Sequence, residues 1–390
     1  MQPTSGGPRP VFWLSALVGL MLVFRGRWWV EAAPRRLIAV WACLVVPVLL
    51  SLPLSVDPLG SAKILAVLVL ALPVGLVWMR VLAPAGALNR FESAILVVLA
   101  MFAVDGLVQF LFGQDLFGVP LEDGRVVGPL SGNLRLASLL GIFAPLVIYR
   151  LAPRSLLLAV VAGAFVLGVS VLSGTRTSML VLILVVFAVL PAFRGVWRLI
   201  WVAALAATLL AATLNSRPAL EKAAQTTVAS QVIISEMPTW FSVWDDRLSG
   251  RLRLWNAALN MGVQHPTGVG AGAFTEAYAA HTFAGDDFVK YAGQHEAITH
   301  AHHTWLAFFA EEGFPGVLGL LVAIFLTWRW RAKADAEKRR LAAPYLAALA
   351  VYLFPIASNQ PLFVFWWFPV VWLLVCGYIV AVSMEDRSCP

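Results

Sequence analysis

Charged residues are scarce in this chain. Only 13% of its 390 residues are Asp, Glu, Lys or Arg, whereas hydrophobic residues make up 60% and the mean hydropathy is +0.83. An ordinary soluble domain is about 25% charged and about 45–50% apolar. The composition therefore excludes a typical water-soluble domain and indicates that lipid is the solvent for much of the surface.

Cysteine is also rare. The chain has three cysteines, Cys43, Cys376 and Cys389, and no two of them have the Cys-x-x-Cys spacing of a metal or redox motif. This pattern predicts neither a zinc site nor a framework of disulfides.

An internal repeat is missing too, which counts against a secondary transporter because many transporters are built from two related halves. The pI of about 9.7 is high enough for a nucleic-acid-binding protein. However, Lys and Arg lie mostly in short loops between apolar runs, where they set membrane topology. We therefore expect membrane lipids rather than nucleic acid as partners.

Long apolar runs recur along nearly the whole chain. A spanning helix needs roughly 20 mostly apolar residues, and about eleven runs approach that length. They predict an all-α polytopic membrane protein with about 11–12 transmembrane helices. The runs are 11–24, 37–55, 63–83, 93–113, 134–152, 155–174, 177–193, 197–214, 304–330, 342–360 and 362–383.

The basic residues predict the orientation. Alternate loops are rich in arginine and are expected in the cytoplasm, which places residues 114–133 and 214–303 on the outer side. We therefore expect an N-terminal transmembrane bundle (1–213), a long periplasmic loop region (214–303) and C-terminal transmembrane helices (304–390), all in one integrated membrane domain.

The outward segment, residues 214–303, differs in its sequence pattern from the apolar runs. Residues 218–234 are compatible with an amphipathic helix, and the periodicity of 251–263 and 273–281 predicts two further helices. Residues 265–272 are too rich in glycine and proline for a helix and predict irregular backbone.

The histidines are concentrated in one place. Three of the six in the chain are His300, His302 and His303, directly before an apolar helix. Histidine accepts protons readily near neutral pH, which favours catalytic proton transfer. A plain polar helix start remains an alternative. A metal site is less favoured, because histidines two residues apart do not share a helix face.

Several other residues are candidates for binding. Arg176 lies between two apolar runs among small hydroxyl-bearing neighbours, a setting that suits an anionic ligand or, alternatively, lipid headgroups. Arg251 and Arg253 are two apart, so at most one is expected to face a shared site. Asp105 is an ionisable residue within an apolar run, where function and packing are both reasonable interpretations. The run Gly268 to Gly272 resembles a phosphate loop only weakly, because no strand precedes it and no Lys-Ser/Thr pair follows.

Together these residues resemble a known family, the O-antigen ligases of the bacterial inner membrane. The matching elements are Ser173-Gly174-Thr175-Arg176, Arg251 four residues before Trp255, His265-Pro266 with Gly268-Val269-Gly270 and Phe274, His300-Ala301-His302 with Leu306, and Glu312-Gly313. One position departs from the pattern, since the family has asparagine where this chain has His303. The superfamily also contains polysaccharide polymerases and protein O-oligosaccharyltransferases.

The resemblance implies an inverting, metal-independent glycosyltransferase of GT-C-like architecture that works at the periplasmic face without a cofactor. Its donor would be a glycan on undecaprenyl diphosphate and its acceptor the sugar of lipid A–core. Polymerase or protein-glycosylating activity is the alternative, and a lipid or polysaccharide transporter is a weaker one. The implied catalytic residues are His302, Arg176 and Arg251. The residues expected to bind substrate, from the resemblance or from their own setting, are Arg253, His300, His303, Trp255, Gly268, Gly270 and Asp105.

Overall fold

The computed structural model is mainly helical. The part of the chain that it describes comprises residues 9–25, 31–122, 124–130, 135–173, 176–215, 239–248, 250–291, 300–355, 361–364 and 366–384. Within these ranges there are fourteen α-helices, two isolated β-bridges and no strand. The prediction of an all-α polytopic protein is confirmed. The predicted amphipathic helix at 218–234 lies outside the described residues.

Each predicted apolar run forms a helix. The helices are α1 (Arg9–Arg25), α2 (Ala32–Ser51), α3 (Pro58–Leu82), α4 (Ala87–Phe112), α5 (Arg135–Leu151), α6 (Leu156–Leu172), α7 (Arg176–Val189), α8 (Val196–Asn215), α9 (Thr239–Arg247), α10 (Arg251–Gln264), α11 (Phe274–His281), α12 (Thr304–Lys333), α13 (Ala336–Leu353) and α14 (Phe368–Ser383). The two helices predicted within the outward segment are α10 and α11.

Among the described residues, four helical stretches are long and apolar enough to cross a membrane: Ala32–Leu54, Pro58–Leu82, Ala87–Phe112 and Thr304–Lys333. Six further apolar helices are shorter. The chain is a multi-pass membrane protein, and the total of eleven or twelve spans stays a prediction.

The chain forms two compact units, one of residues 82–230 and 339–357 and the other of 6–81, 231–338 and 358–390. In the first unit α5 is central, with α4, α6 and α7 packed around it. Its apolar side chains, among them Leu140, Ile142 and Leu146, are fully buried. In the second unit α2 packs on α12 and α14, while α10 packs on α11 and α12. The predicted division at residues 213 and 303 stays a prediction.

Close approach of α2 and α12 depends on a small residue. A Cβ atom at Gly319 would collide with the carbonyl group of Cys43 and meet Pro47 at 3.1 Å. Small residues let membrane helices pack backbone to backbone, where no hydrophobic driving force between helices exists. This contact fixes the helix whose first residues follow the histidines.

Candidate active site

The histidine run lies at the start of α12. His303 is the residue before the first helical turn, and its Nδ1 accepts a hydrogen bond of 3.2 Å from the backbone N–H of Leu306. A side chain that accepts this bond satisfies one of the helix's unpaired N–H groups, a role at which asparagine also excels. The departure from the family pattern at this position therefore preserves a helix cap.

His302 has an unusual backbone conformation. Its φ is 51°, the only positive value among the non-glycine residues that the structure describes. Such a conformation is uncommon for a residue with a side chain and concentrates at functional sites. It turns the ring onto that of His300, with 3.9 Å between the ring centroids.

The surroundings of His302 keep its imidazole neutral. Burial, together with the positive charge of Arg251, lowers the pKa of His302 to about 4. Its buried Nδ1 has no hydrogen-bond partner among the described residues. A neutral imidazole has a lone pair that accepts a proton, so this side chain has the protonation state of a base at neutral pH.

Arg251 is presented by α10. It is the first residue of that helix, directly after Gly250, whose φ is 77°. The helix is anchored by buried residues, including Leu254 and Met261. Trp255, one turn further along, makes an edge-on contact with His303 at 5.6 Å between centroids. The helix that presents Arg251 thus packs against the histidine run through the contact between Trp255 and His303.

Arg253 is engaged elsewhere. Its Nε donates to Asp245 at 2.6 Å, and its Nη1 donates to Asp286 and Asp287. The guanidinium also lies over the ring of Phe288, 4.1 Å from the centroid. Burial alone would lower the pKa of Arg253, but the three carboxylates outweigh it and raise that pKa above its usual value. Arg253 therefore ties α9, α10 and the segment after α11 together, and its predicted contact with substrate stays a prediction.

The glycine run forms a tight passage against α12. The N–H groups of Val269 and Gly270 donate to the carbonyls of Ala310 and Glu311, both at 2.9 Å, and that of Gly272 donates to Glu311 Oε2 at 2.8 Å. A Cβ at Gly268 would collide with the Glu311 backbone, and one at Gly270 would collide with Ser55. The close approach explains why glycine is present. Substrate binding by Gly268 and Gly270 stays a prediction, since the Gly270 N–H is already bound within the protein.

Two predicted residues belong to the other compact unit. Asp105 Oδ1 accepts a bond of 2.9 Å from the Leu116 N–H, and Gln109, one turn away, binds both sides of the same loop. This arrangement favours an anchoring role for Asp105, and its contact with substrate stays a prediction. Arg176 is the first residue of α7. Its side chain lies outside the described part of the chain, so its predicted role stays a prediction as well.

A cleft beside the histidines contains two residues that sequence reasoning missed, Leu362 and Phe363. It is small and partly open to its surroundings. His300 and His303 line it together with Glu312, while Leu362 and Phe363 come from the segment before α14. Glu312 is already part of the sequence pattern, whereas nothing in the sequence places 362–363 there.

A comparison with protein-family models matches residues 158–321, and the model is described as O-antigen ligase. Residues 158–321 are therefore similar to the O-antigen ligases. The matched segment runs from α6 into α12 and includes Arg176, Arg251 and the histidine run. None of the curated proteins compared matches the chain.

The similarity of residues 158–321 to this family indicates a glycosyltransferase-like enzyme that handles lipid-linked glycans. Of the residues described, His302 and Arg251 unite the features that such chemistry requires. His302 is a neutral proton acceptor just before α12, and Arg251 is a positive charge at the first residue of α10.

Proposed function

We propose that the protein is an O-antigen ligase. It transfers a glycan from undecaprenyl diphosphate to a sugar of lipid A–core at the periplasmic face of the bacterial inner membrane. The family match over residues 158–321 supports the class of reaction. The observation that carries the proposal is His302 itself, which has a positive φ, packs its ring on His300 and interacts with the charge of Arg251.

The reaction is a single displacement. A hydroxyl oxygen of the acceptor attacks the anomeric carbon of the donor, and the bond from that carbon to the phosphate oxygen breaks. His302 takes the hydroxyl proton, and undecaprenyl diphosphate leaves with the bonding electrons. Attack from the face opposite the leaving group inverts the configuration of the anomeric carbon.

Positive charge stabilises the leaving group. Negative charge grows on the diphosphate as the bond breaks, and a cation already fixed in place stabilises that transition state without reorganisation. Arg251 has this role, and we assign Arg176 to it as well, because the fork of a guanidinium matches phosphate oxygens. The diphosphate is itself an activated leaving group, so the reaction needs no nucleotide or other cofactor.

Donor binding also prepares the base. In the free protein the charge of Arg251 contributes to the low pKa of His302. A bound diphosphate offsets that charge and favours the imidazolium, which raises the pKa of His302. The histidine thus becomes a stronger proton acceptor only when the substrate is present.

The test uses purified protein in detergent or nanodiscs, with an undecaprenyl-diphosphate glycan as donor and EDTA present. Three acceptors are compared: rough lipopolysaccharide, a second copy of the donor, and a pilin-like protein. We expect product on rough lipopolysaccharide. Product only on the second donor or on the protein would make the enzyme a polymerase or a protein O-oligosaccharyltransferase, and loss of activity in EDTA would overturn the metal-free reaction.

A further inference from the structure

The second half of α10 has an exposed apolar face. Leu259 and Val263 are four residues apart, and therefore on one side of the helix, and they are 45% and 68% exposed. The packed side of the same half lies on α12, where a Cβ atom at Gly262 would collide with the ring of Phe309. A helix that is packed on one side and apolar on the other is typical of a boundary between protein and a second apolar phase.

This face continues into the lipid-facing surface of α12. The ring of Phe309 makes an edge-on contact with that of Phe314, with 5.1 Å between the centroids. Phe314 is 60% exposed, and Leu318, four residues further along, is exposed as well. Because α12 is long and apolar enough to cross a membrane, its exposed apolar side chains face lipid. Two neighbouring rings thus connect the exposed face of α10 to a surface that contacts lipid.

The length of α12 indicates the depth at which this contact lies. The helix has 30 residues, whereas the hydrocarbon core of a bilayer needs about 20. Its last turns contain Arg329, Arg331 and Lys333, which are expected at the cytoplasmic headgroups. Counted back from Arg329, about 20 residues bring the outer boundary of the core close to Ala310. The break in α12 at Gly313 therefore lies at this boundary.

The loop that follows α10 lies at the same depth. The N–H of Phe314 donates to the carbonyl of Pro266 at 3.0 Å. The N–H of Val269 donates to the carbonyl of Ala310 at 2.9 Å, and its carbonyl accepts from the N–H of Val56 at 2.8 Å. Non-helical backbone is tolerated at membrane depth only where the protein itself satisfies the polar groups of that backbone. These bonds meet that requirement, so the loop is compatible with the outer boundary of the core.

A second apolar face belongs to α9. Trp240, Val243 and Trp244 share one side of this helix and are exposed, Trp240 to 63%. On the other side the buried Asp245 accepts a bond of 2.6 Å from Arg253, which fixes α9 to α10. Tryptophan has an apolar body and one N–H donor, and it is enriched where hydrocarbon meets the headgroups. The exposed side of α9 therefore suits the membrane–water interface.

We propose that α9 and the second half of α10 lie in the outer leaflet of the membrane. Leu259 and Val263 contact lipid chains, and Trp240 and Trp244 lie among the headgroups. The partner is the lipid surface and not a second protein, because the face of α10 is continuous with lipid-facing residues of α12. The inference goes beyond glycan transfer, since it concerns the surface of the helix that presents Arg251 and not the chemistry of that residue.

Spin labels report which phase surrounds a side chain. With the three native cysteines replaced by alanine, the full chain receives one cysteine at a time: Val263→Cys, Val243→Cys or, as a control, Glu276→Cys at an exposed position on α11. Each labelled protein is placed in nanodiscs at one chain per disc. Relaxation of the label by oxygen, which concentrates in lipid, is compared with relaxation by a water-soluble nickel chelate.

We expect the ratio of oxygen to nickel relaxation at Val263→Cys and Val243→Cys to be several times the ratio at Glu276→Cys. Equal ratios at Val263→Cys and Glu276→Cys would place α10 in water and overturn the proposal. A label at Val263→Cys that is shielded from both reagents would show that protein covers the face, which overturns it too. A lipid-like ratio at Val263→Cys with a water-like ratio at Val243→Cys would overturn the assignment of α9.

Thermal unfolding checks that each labelled variant is folded. All three side chains are exposed, so we expect midpoints equal to that of the cysteine-free protein. If Val263→Cys does not fold, Leu259→Cys on the same side of α10 provides the same measurement with the same contradicting results.

Discussion

Two arginines only two positions apart on α10 have different surroundings. Arg251 lies close enough to His302 for its charge to lower the pKa of that histidine, whereas Arg253 is held by three carboxylates. Side chains two apart on a helix point in different directions, so neighbouring arginines reach different partners. The pair therefore provides a matched comparison between a residue that acts on substrate and one that holds the fold.

We predict opposite effects for the two alanine variants. Arg253→Ala leaves Asp245 and Asp286 buried without their cation, and breaking a buried pair in this way costs roughly 3–5 kcal/mol. Thermal unfolding in detergent micelles should show a large loss of stability. Arg251→Ala should unfold like the wild type and lose glycan transfer. A stable Arg253→Ala variant would contradict the structural role assigned to that residue.

The pH dependence of transfer reports on His302. Because its pKa is lowered to about 4 in the free protein, the residue is neutral at all higher pH values. We expect kcat/KM, which follows the free enzyme, to show no loss from this group as the pH falls from about 8 to about 5. The acid limb of kcat should lie at higher pH, since the bound diphosphate favours the imidazolium. An acid limb of kcat/KM near 6.5, the ordinary histidine value, would contradict the buried setting.

At the scale of elements, the histidine run leads directly into α12, because its last residue, His303, is the N-cap of that helix. His303 caps the helix through Nδ1 and also contacts Trp255 through its ring edge. Further along, Gly313 interrupts the helical geometry of α12 with a φ of 64°. At this break the Phe314 N–H donates a hydrogen bond of 3.0 Å to the carbonyl oxygen of Pro266. The cap at His303 and the break at Gly313 thus hold the first turns of α12 at their two ends.

The cap leads to a prediction for His303. Asparagine caps helices as well as any residue, so His303→Asn should keep both stability and transfer. His303→Ala removes the acceptor and should cost about 0.5–2 kcal/mol of stability, seen as a lower midpoint of thermal unfolding. If His303→Asn folded but abolished transfer, the imidazole of His303 would have a chemical role beyond the cap.

Sequence patterns predicted the elements better than the contacts between them. Apolar length and periodicity located α1 to α8 and α10 to α14, because burial in lipid or against a neighbour imposes those patterns directly. The carboxylates that bind Arg253 could not be predicted in this way. Asp286 lies 33 residues along the chain, and only the folded path of α11 brings it to the arginine. The same holds for Phe363, whose place in the cleft depends on the packing of α14.

At the scale of the whole molecule, two kinds of surface alternate along the chain. Apolar helices long enough to span a bilayer are joined by loops, and the basic residues of alternate loops favour the cytoplasm. The proposed reaction requires the segment 214–303 to face the periplasm, where both lipid-linked substrates would present their sugars. The topology is therefore part of the functional account.

Cysteine labelling measures that topology. With Cys43, Cys376 and Cys389 replaced by alanine, single cysteines are introduced at Glu276 and Glu337, both exposed glutamates. We expect a membrane-impermeant maleimide to label Glu276→Cys from the periplasm and to reach Glu337→Cys only after the membrane is permeabilised. The reverse labelling pattern would place the histidine run in the cytoplasm, on the side of the membrane opposite the sugars of the proposed substrates.

The central claim is that His302 accepts the proton of the attacking hydroxyl, and the rate of glycan transfer by His302→Ala tests it most directly. Wild type and variant are purified side by side, checked for equal thermal unfolding and assayed with undecaprenyl-diphosphate glycan and rough lipopolysaccharide. The loss of a general base lowers such rates by roughly 10²–10⁴-fold, so we expect transfer by the variant to fall by at least that lower factor. Transfer near the wild-type rate by a folded His302→Ala variant would contradict the assignment and move the base to His300 or His303.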